Sequence, residues 1–322
     1  MTPSQFISTC TADAIDQAAA QLRAGALVAF PTETVYGLGA DATNKSAVAR
    51  IYEVKGRPQD HPLIVHIASM NDIEKWCSEF PTYAIALARD FWPGPMTLIM
   101  KRSPLAQDFI TGGQDTVGVR IPNHTLALAL LNAFKKLGGS GIAAPSANRF
   151  GQVSPTTAQA VQEEIGNYLH SHDQIMDGGA SEVGVESTII DCTHQHPRVL
   201  RPGAITAQMI QKSTGLALLE NSNDAIRVSG SLENHYSPKA KVILDSIATS
   251  GQGFIAPANI QTPDGAIRLA APRDTDEYAR LLYSALRASD SQGISEIAVI
   301  QPEGEGLALA IRDRLLRASR GR

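Results

Sequence analysis

Loops rich in small, hydroxyl-bearing and cationic residues follow several short apolar runs of this sequence. The first, residues 31–39 (P-T-E-T-V-Y-G-L-G), comes directly after such a run, and the second, residues 55–58 (K-G-R-P), leads to His61 and to a predicted strand that carries His66. Open α/β sheets bind ligands in loops at the carboxyl ends of their strands. The pattern therefore favours one ligand site assembled from distant parts of the chain.

Four cations in these loops stand beside glycine, proline or hydroxyl residues: Lys55, Arg57, Arg120 and Arg201. A single surface Lys or Arg is usually only a solvated charge. Guanidinium forks combined with hydroxyls and backbone amides, however, bind phosphates where no phosphate loop exists. The sequence has no G-x-x-x-x-G-K-[ST], no H-E-x-x-H and no G-x-S-x-G motif. The four cations together therefore predict a site for an anionic ligand such as a triphosphate.

Two other motifs have simpler explanations. Residues 37–42 match G-x-G-x-x-A, but the preceding apolar run ends too far upstream for the strand–turn–helix context of a dinucleotide site. The pairs His170 with His172 and His194 with His196 lie in polar stretches without a cysteine or carboxylate cluster at ligand spacing. We interpret both pairs as parts of solvated loops.

Apolar runs alternate with helical patterns along the chain, which is typical of an α/β protein with a parallel or mixed sheet. The runs predict strands at 26–30, 63–67, 97–101, 117–121, 142–145, 187–191 and 199–200. The helical patterns lie at 12–24, 46–54, 82–91, 125–137 and 156–165. One more helical stretch follows Gly203. These elements predict one α/β domain that ends near residue 207.

The polar segment 220–238 has neither a helical nor a strand period, and we interpret it as part of a linker. Beyond it, strands are predicted at 241–245, 253–256, 266–269 and 296–300, and helices at 275–289 and 307–319. Asp274 and Glu277 have capping-box spacing at the start of the first of these helices. The tail is therefore a second, smaller α/β domain.

Composition restricts the class of protein. The chain has 322 residues, 43% of them hydrophobic and 19% charged, with a formal charge of −4. This length is enough for two domains, and the composition excludes a mainly disordered chain. The mild acidity argues against a general nucleic-acid-binding surface. Cys10, Cys77 and Cys192 form no C-x-x-C pair and are expected to be small buried residues. With no apolar run of membrane-spanning length and no secretory signal, we predict a cytoplasmic protein.

Seven motifs of this chain resemble, in the same order, those of the YrdC family of threonylcarbamoyl-AMP synthases in its long form. They are P-T-E-T-V-Y-G-L-G, K-G-R-P-x-x-H-P-L, F-W-P-G-P-M-T-L, V-G-V-R-I-P, A-A-P-S-A-N, V-G-V-E-S-T and L-R-P-G. His235 and Tyr236 begin H-Y-S-P, which is similar to the family's H-Y-A-P. The tail matches the long form only in its layout.

The resemblance implies an enzyme that condenses L-threonine, bicarbonate or CO2, and ATP into threonylcarbamoyl-AMP and diphosphate. Separate proteins then transfer the threonylcarbamoyl group to tRNA, so direct tRNA binding is not required. The implied fold is an open, twisted, mixed α/β sheet with a basic cavity, followed by a smaller Rossmann-like α/β domain. We accordingly expect a catalytic domain at 1–207, a linker or lid at 208–238 and the small domain at 239–322.

The resemblance also implies which residues bind each substrate. On the ATP side are Lys55, Arg57, His61, Thr116, Ser146, Asn148, Ser154, Arg201, His235 and Tyr236. On the L-threonine side are Thr34, His66, Arg120, Ala144 and Ser187. Lys55 and Arg57 are the expected catalytic cations, and Lys55 is expected to be exposed in the cleft. Mg²⁺ is expected with ATP, but its protein ligands are not assigned.

Two alternatives remain open. One is a carbamoyl-adenylate-forming module like that of hydrogenase-maturation proteins, although the chain lacks the C-x-x-C of their zinc-finger part. The other is a module that binds double-stranded RNA through the basic cavity. The linker is expected to fold over the cavity, where His235 and Tyr236 would contact the nucleotide and exclude water from the product.

Overall fold

The computed structural model describes residues 6–9, 11–220, 226–230 and 236–321. The strands are β1 (Ile7–Thr9), β2 (Val28–Phe30), β3 (Gly37–Asp41), β4 (Ile64–His66), β5 (Met96–Lys101), β6 (Thr116–Arg120), β7 (Ile142–Ala143), β8 (Gln174–Asp177), β9 (Thr188–Asp191), β10 (Arg198–Arg201), β11 (Lys241–Leu244), β12 (Gly253–Ile255), β13 (Ile267–Ala270) and β14 (Glu296–Val299). The helices are α1 (Ala12–Arg23), α2 (Lys45–Lys55), α3 (Ile73–Trp76), α4 (Thr82–Phe91), α5 (Asp108–Thr111), α6 (Thr125–Lys136), α7 (Ala158–Ile165), α8 (Ala207–Thr214), α9 (Thr275–Ser291) and α10 (Leu307–Ser319). Within the described ranges, no helix has both the length and the apolar character needed to cross a bilayer.

A ten-stranded mixed sheet carries the first domain, in the order β1-β8-β2-β3-β7-β4-β6-β5-β9-β10. Strands β4 and β6 are parallel, whereas β3 and β7 run antiparallel to their neighbours. Strand β2 buries both of its faces. Val28 and Phe30 pack with α1 and α6, while Leu27 and Ala29 belong to the larger core on the opposite face. Because both faces are buried, the sequence of this strand is a continuous apolar run.

The helices of this domain begin and end at residues that suit those positions. Asn44 caps α2 by accepting hydrogen bonds from the amides of Ser46 and Ala47, and Gly56 ends the helix in the left-handed conformation. Lys55 is the last residue of α2, and Arg57 directly follows the capping glycine. The end of this helix therefore determines the positions of both cations.

The sequence predictions located most elements to within a few residues but missed the strands β1, β3 and β8 and the short helices α3 and α5. The interpretation of residues 31–39 as a loop is wrong for Gly37 to Gly39, which belong to β3 and pair antiparallel with β2. A Cβ at Gly39 would lie 2.8 Å from Ile142 Cγ2 and 2.9 Å from Phe30 Cε1. Close packing between strands therefore explains this glycine. Cys77 and Cys192 are buried as predicted, and Cys10 lies outside the described residues.

The second domain has a wholly parallel four-stranded sheet in the order β11-β14-β12-β13. Asp274 caps α9, since its carboxylate accepts a hydrogen bond from the Glu277 amide at 2.7 Å, as the capping-box spacing predicts. Side chains of α9 and α10 pack in one core with Val35, Val153, Val185 and Tyr236, which belong to the first domain and the linker. The two domains therefore share a packed interface.

Asp173 joins three separate parts of the first domain. Its buried carboxylate accepts hydrogen bonds from the amides of Leu27 and His170, at 2.8 and 2.7 Å, and from both terminal nitrogens of Arg50, at 3.0 and 2.6 Å. Although burial by itself raises the pKa of Asp173, these donors lower it overall. The carboxylate thus holds the start of β2, helix α2 and the loop before β8 together.

We predict that Asp173→Ala lowers the free energy of unfolding by about 3–5 kcal/mol, because it leaves the Arg50 guanidinium and two amides without their acceptor. Urea unfolding measures the loss. Asp115→Ala is the matched control, since its side chain is almost fully exposed and 3.7 Å from Arg102, and its effect should stay within about 0.5 kcal/mol. Equal effects of the two variants would contradict the assignment.

Candidate active site

A cavity lined by both polar and apolar groups lies where the loops of the first domain meet the linker. It is lined by Thr32, Thr34, Val35, Tyr36, Gly37, Arg57, Ile64, His66, Arg120, Ala144, Pro145, Ser146, Glu186, Ser187, Arg201, Ser229, Gly230 and Tyr236. About 50 Å³ of space remains inside it. Sites for small molecules usually enclose ~300–1,000 Å³. In this conformation, protein groups therefore fill most of the space that a substrate would need.

The five residues predicted for the L-threonine side all line this cavity: Thr34, His66, Arg120, Ala144 and Ser187. Parallel pairing of β4 with β6 places His66 opposite Arg120 at one end of both strands. The Thr32 hydroxyl lies 2.8 Å from that of Thr34 and donates to the Val35 carbonyl at 2.6 Å, which fixes the turn after β2. The strands and this turn thus bring the predicted residues together.

Arg120 is buried beside a carboxylate. A terminal nitrogen of its guanidinium lies 2.7 Å from Glu33 Oε1, and its Nε donates to the Gly94 carbonyl at 3.3 Å. Both side chains are almost fully buried. Glu33 offsets the charge of the buried guanidinium and would have to share it with any bound carboxylate.

His66 is buried against Arg120 and the edge of the Phe30 ring, whose centroid is 5.9 Å away. Burial, and then the nearby Arg120 charge, lower the pKa of His66 to about 3. The imidazole is therefore neutral at physiological pH. It can accept or donate a hydrogen bond in the cavity without adding to the positive charge.

Two cations of the predicted ATP side, Arg57 and Arg201, reach the cavity and are held by the linker. Arg57 Nη2 donates to the Pro62 carbonyl at 2.9 Å and to Ser229 Oγ at 3.1 Å. Arg201 Nη1 donates to the Ser229 carbonyl at 2.8 Å, while its Nε and Nη2 donate to the Ser187 carbonyl at 3.1 and 2.9 Å. Burial lowers the pKa of Arg57 to about 10, so it stays charged at neutral pH. One linker residue therefore contacts both guanidinium groups.

The expectation that Lys55 is exposed in the cleft is wrong. Its side chain is 2% exposed, and its ammonium donates to the carbonyls of Ser146 and Asn148. Burial, and then the neighbouring Arg57, lower the pKa of Lys55. The last residue of α2 points into the protein, so Lys55 supports the Ser146–Asn148 loop from behind and is absent from the cavity lining.

The other residues predicted for the ATP side occupy three kinds of position. Ser146 and Tyr236 line the cavity. Asn148 and Ser154 lie behind it, where Asn148 donates to the carbonyls of Arg149 and Gln152, and Ser154 Oγ donates to Glu186 at 2.6 Å. His61 packs edge-on against Phe150, and Thr116 lines an adjoining crevice beside the linker. His235 lies outside the described residues.

The described part of the linker lies against the cavity. Val228 packs with Ile64, Ile99 and Ile189, and Gly230 and Tyr236 complete the cavity wall. Gly230 has φ +84°, and a Cβ there would lie 2.3 Å from the Tyr236 hydroxyl oxygen. A side chain at this position would therefore collide with Tyr236 in a backbone conformation that favours glycine.

The sequence alone indicated no role for Glu33 and Glu186, which are buried beside or in the cavity, or for Ser229, which is half-buried in the cavity lining. The two glutamates belong to the motifs P-T-E-T and V-G-V-E-S-T. The motifs indicated that these segments belong to the site, but they did not indicate what a carboxylate does there. Ser229 lies in an aperiodic segment that carries no local signal. Its role depends on contacts with Arg57 and Arg201, which are far away in the sequence.

Comparison with known proteins identifies the family of this chain. Residues 20–203 match the Sua5/YciO/YrdC family described as "Telomere recombination", and residues 205–320 match the threonylcarbamoyl-AMP synthase C-terminal domain. The threonylcarbamoyl-AMP synthase of Pyrococcus abyssi is 41% identical, over 94% of this chain and 93% of that protein. The Bacillus subtilis protein of the same name is 38% identical, over 96% and 93%. The structure of P. abyssi Sua5 complexed with L-threonine aligns with a TM-score of 0.86 at 39% identity, covering 98% of this chain and 96% of that one.

The structure combines a mixed α/β sheet, buried cations around one cavity and a second, parallel α/β domain, and the relatives of this sequence are threonylcarbamoyl-AMP synthases, enzymes of the nucleotidyl-transfer class. The relatives share this two-domain layout over nearly their whole length. The chain belongs to the threonylcarbamoyl-AMP synthase family, in the long form with a C-terminal domain. The predicted fold class is thereby confirmed.

We predict that Lys55→Ala lowers both stability and activity, because two carbonyls lose their donor and the Ser146–Asn148 loop loses its support. The expected loss of unfolding free energy is about 1–3 kcal/mol, with kcat reduced more than tenfold. Urea unfolding and steady-state turnover measure the two effects. Lys101→Ala removes an exposed ammonium paired with Glu79 and should change neither. An unchanged unfolding curve for Lys55→Ala would exclude this supporting role.

We predict that His66 makes the free energy of unfolding depend on pH. Because its folded pKa lies below its unfolded value of 6.5, the unfolded state binds the proton first. This stability is present above pH 6.5 and is lost, by about 1.4 kcal/mol per pH unit, as the pH falls toward 3. Unfolding free energies of the wild type and His66→Asn at pH 7, 6 and 5 isolate this contribution. His172→Asn, at an exposed position, should keep the wild-type slope. Parallel slopes for the wild type and His66→Asn would show that His66 does not contribute.

Proposed function

We propose that this chain condenses L-threonine, bicarbonate or CO2, and ATP into threonylcarbamoyl-AMP and diphosphate. The product supplies the threonylcarbamoyl group that separate proteins transfer to tRNA. The observation that supports the proposal is one cavity lined by Arg57, Arg120 and Arg201, of which we assign Arg57 and Arg201 to ATP and Arg120 to threonine. Membership of the threonylcarbamoyl-AMP synthase family and the similarity to P. abyssi Sua5 complexed with L-threonine also support the proposal.

The reaction brings two anions together, which explains why three buried guanidinium groups surround one small cavity. The threonine amine adds to CO2 to give a carbamate, and a carbamate oxygen then attacks the α-phosphorus of ATP while diphosphate leaves. Fixed positive charge lowers the repulsion between carbamate and triphosphate and holds the reacting groups in line. This chemistry requires positioning and charge and no covalent nucleophile.

On the threonine side, Arg120 is the partner for the amino-acid carboxylate, since a guanidinium fork binds a carboxylate at two points. Thr34, Ala144 and Ser187 provide hydrogen-bonding and small groups around the substrate side chain and amine. Neutral His66 provides a hydrogen bond without attracting a second anion. The position of all five residues in the cavity lining supports these proposed roles.

On the ATP side, Arg57 and Arg201 bind the phosphates after releasing Ser229, and Ser146 adds a hydroxyl. Lys55, Asn148 and Ser154 act from behind by ordering the loops. Mg²⁺ arrives with ATP as part of the substrate. Among the residues that the structure describes, no group of three or more His, Cys, Asp or Glu residues could hold a metal ion.

The linker acts as a lid in this proposal. Because 50 Å³ cannot hold both substrates, the segment with Ser229, Gly230 and Tyr236 moves to admit them and returns once they are bound. Threonylcarbamoyl-AMP is a mixed anhydride, so a closed cavity protects it from hydrolysis. His235 and Tyr236 are the proposed nucleotide contacts of the closed lid.

Threonine-dependent turnover of ATP, with the product identified by mass, tests the function directly. We expect AMP-linked threonylcarbamate and diphosphate in equal amounts when threonine, bicarbonate and Mg²⁺–ATP are all present. A carbamoyl-adenylate-forming module would instead consume ATP with carbamoyl phosphate and without threonine. A double-stranded RNA-binding module would consume no ATP and would bind duplex RNA with a steep salt dependence.

We predict that Arg120→Ala raises KM for threonine at least tenfold more than KM for ATP, because the lost fork is the partner of the threonine carboxylate. Initial rates with each substrate varied in turn measure the split. Arg102→Ala is the control, since Arg102 pairs with the exposed Asp108 outside the cavity, and it should leave both KM values unchanged. Equal increases for the two substrates would place Arg120 on the ATP side.

A further inference from the structure

A carboxylate in the cavity wall is held by groups from the second domain. Glu186 Oε2 accepts hydrogen bonds from Arg314 Nε at 2.8 Å and from the Tyr283 hydroxyl at 2.9 Å. Its other oxygen accepts from Ser154 Oγ at 2.6 Å. Glu186 lines the cavity, whereas Arg314 lies on α10 and Tyr283 on α9. The second domain thus reaches a residue of the catalytic site directly.

Arg314 is buried and fixed on several sides. Besides Glu186, its guanidinium donates through Nη2 to the Pro202 carbonyl at 3.0 Å and through Nη1 to Asp313 at 2.6 Å. Its side chain is completely buried. Pro202 directly follows Arg201, so the same guanidinium contacts the backbone next to a cation of the proposed ATP side. A rigidly held fork of this kind has little freedom to serve another partner.

Tyr236 of the linker is held by the same two residues. Its ring stacks on that of Tyr283, with centroids 5.7 Å apart and an interplanar angle of 22°. The Arg314 guanidinium carbon lies 5.3 Å from the Tyr236 ring centroid, within the range of a cation–π contact. Helices α9 and α10 therefore supply two of the side chains that hold Tyr236, beside the core that it shares with Val35, Val153 and Val185.

Arg314 compensates the negative charge of Glu186. A carboxylate in the wall of a cavity that collects a triphosphate and a carbamate would repel both if its charge were not compensated. Burial alone raises the pKa of Glu186, but Arg314, followed by Arg201, lowers it to about 2. Glu186 is therefore ionised, and Arg314 compensates it from the side that faces away from the cavity.

We infer that Arg314 is a positioning residue of the synthase site, supplied by the C-terminal domain. It compensates the Glu186 carboxylate and, together with Tyr283, seats Tyr236 for contact with the nucleotide. The C-terminal domain thus completes the ATP side of the catalytic site in addition to holding the linker. This inference rests on the proposed function, because it concerns how that reaction binds ATP.

Charge-balanced variants test the inference in the full-length protein. Arg314→Met leaves Glu186 uncompensated and should raise KM for ATP at least tenfold, whereas KM for threonine should change less than threefold. In the double variant Glu186→Gln/Arg314→Met the cavity has no uncompensated carboxylate, so KM for ATP should fall at least threefold relative to Arg314→Met, and the increase that remains reflects the lost contact with Tyr236. Arg314→Lys keeps the charge and should stay closer to wild type than Arg314→Met.

Arg268→Met is the matched structural control. Arg268 is an arginine of the same domain that donates to the carbonyls of Ile260, Ala270 and Pro257, and it is absent from the cavity lining. It should lower the unfolding temperature of the domain and leave KM for ATP unchanged. A purely structural role for Arg314 would give the same result as Arg268→Met.

The outcomes separate this inference from the proposed function. If the wild type shows no threonine-dependent ATP turnover, the function is wrong. If the wild type is active and Arg314→Met keeps KM for ATP within twofold, or if the double variant is no better than Arg314→Met, the inference is wrong. Should Arg314→Met fail to fold, the double variant and Arg314→Lys decide, and a KM for ATP raised tenfold in both would also overturn the inference.

Discussion

Buried positive charge is the constraint on which the rest of this structure depends. Arg57, Arg120 and Arg201 are 7%, 5% and 5% exposed, and all three line one small cavity. A buried charge without partners is strongly destabilising, so each guanidinium needs acceptors before any substrate arrives. The carbonyls of Pro62, Gly94, Ser187 and Ser229 provide them, and the carboxylate of Glu33 adds an ion pair with Arg120. The acceptors that hold the cations determine which parts of the chain must meet at the cavity.

The architecture follows from this requirement. Parallel pairing of β4 with β6 places His66 and Arg120 at one sheet edge, and the end of α2 places Lys55 and Arg57 beside the same cavity. The linker contributes Ser229, which contacts Arg57 and Arg201 together. The second domain, through Arg314, compensates the carboxylate that remains in the wall. The linker and the second domain thus add acceptors and charge that the catalytic sheet alone does not have.

Local patterns in the sequence anticipated the elements and the cationic loops, because apolar runs, helix caps and turn residues act over a few positions. Helix α4 lies at the predicted residues, and the cap at Asp274 has the predicted form. Strand β3 was not predicted because it contains Gly37 and Gly39. Glycine is unfavourable inside a strand and occurs there mainly where close packing requires it. The burial of Lys55 and the pairing of Glu186 with Arg314 were not predictable, because both depend on contacts between residues about 90 or more positions apart. The resemblance marked which residues belong to the site, and the structure shows which of them face the cavity.

With the proposed function, we expect Arg57 and Arg201 to exchange protein acceptors for phosphate oxygens when ATP binds. A crystal structure with a non-hydrolysable ATP analogue and L-threonine tests this most directly. The account predicts that Arg57 Nη2 and Arg201 Nη1 leave Ser229 and lie within about 3 Å of phosphate oxygens, with Arg120 on the threonine carboxylate. Phosphates bound elsewhere, with both guanidinium groups still on Ser229, would contradict it.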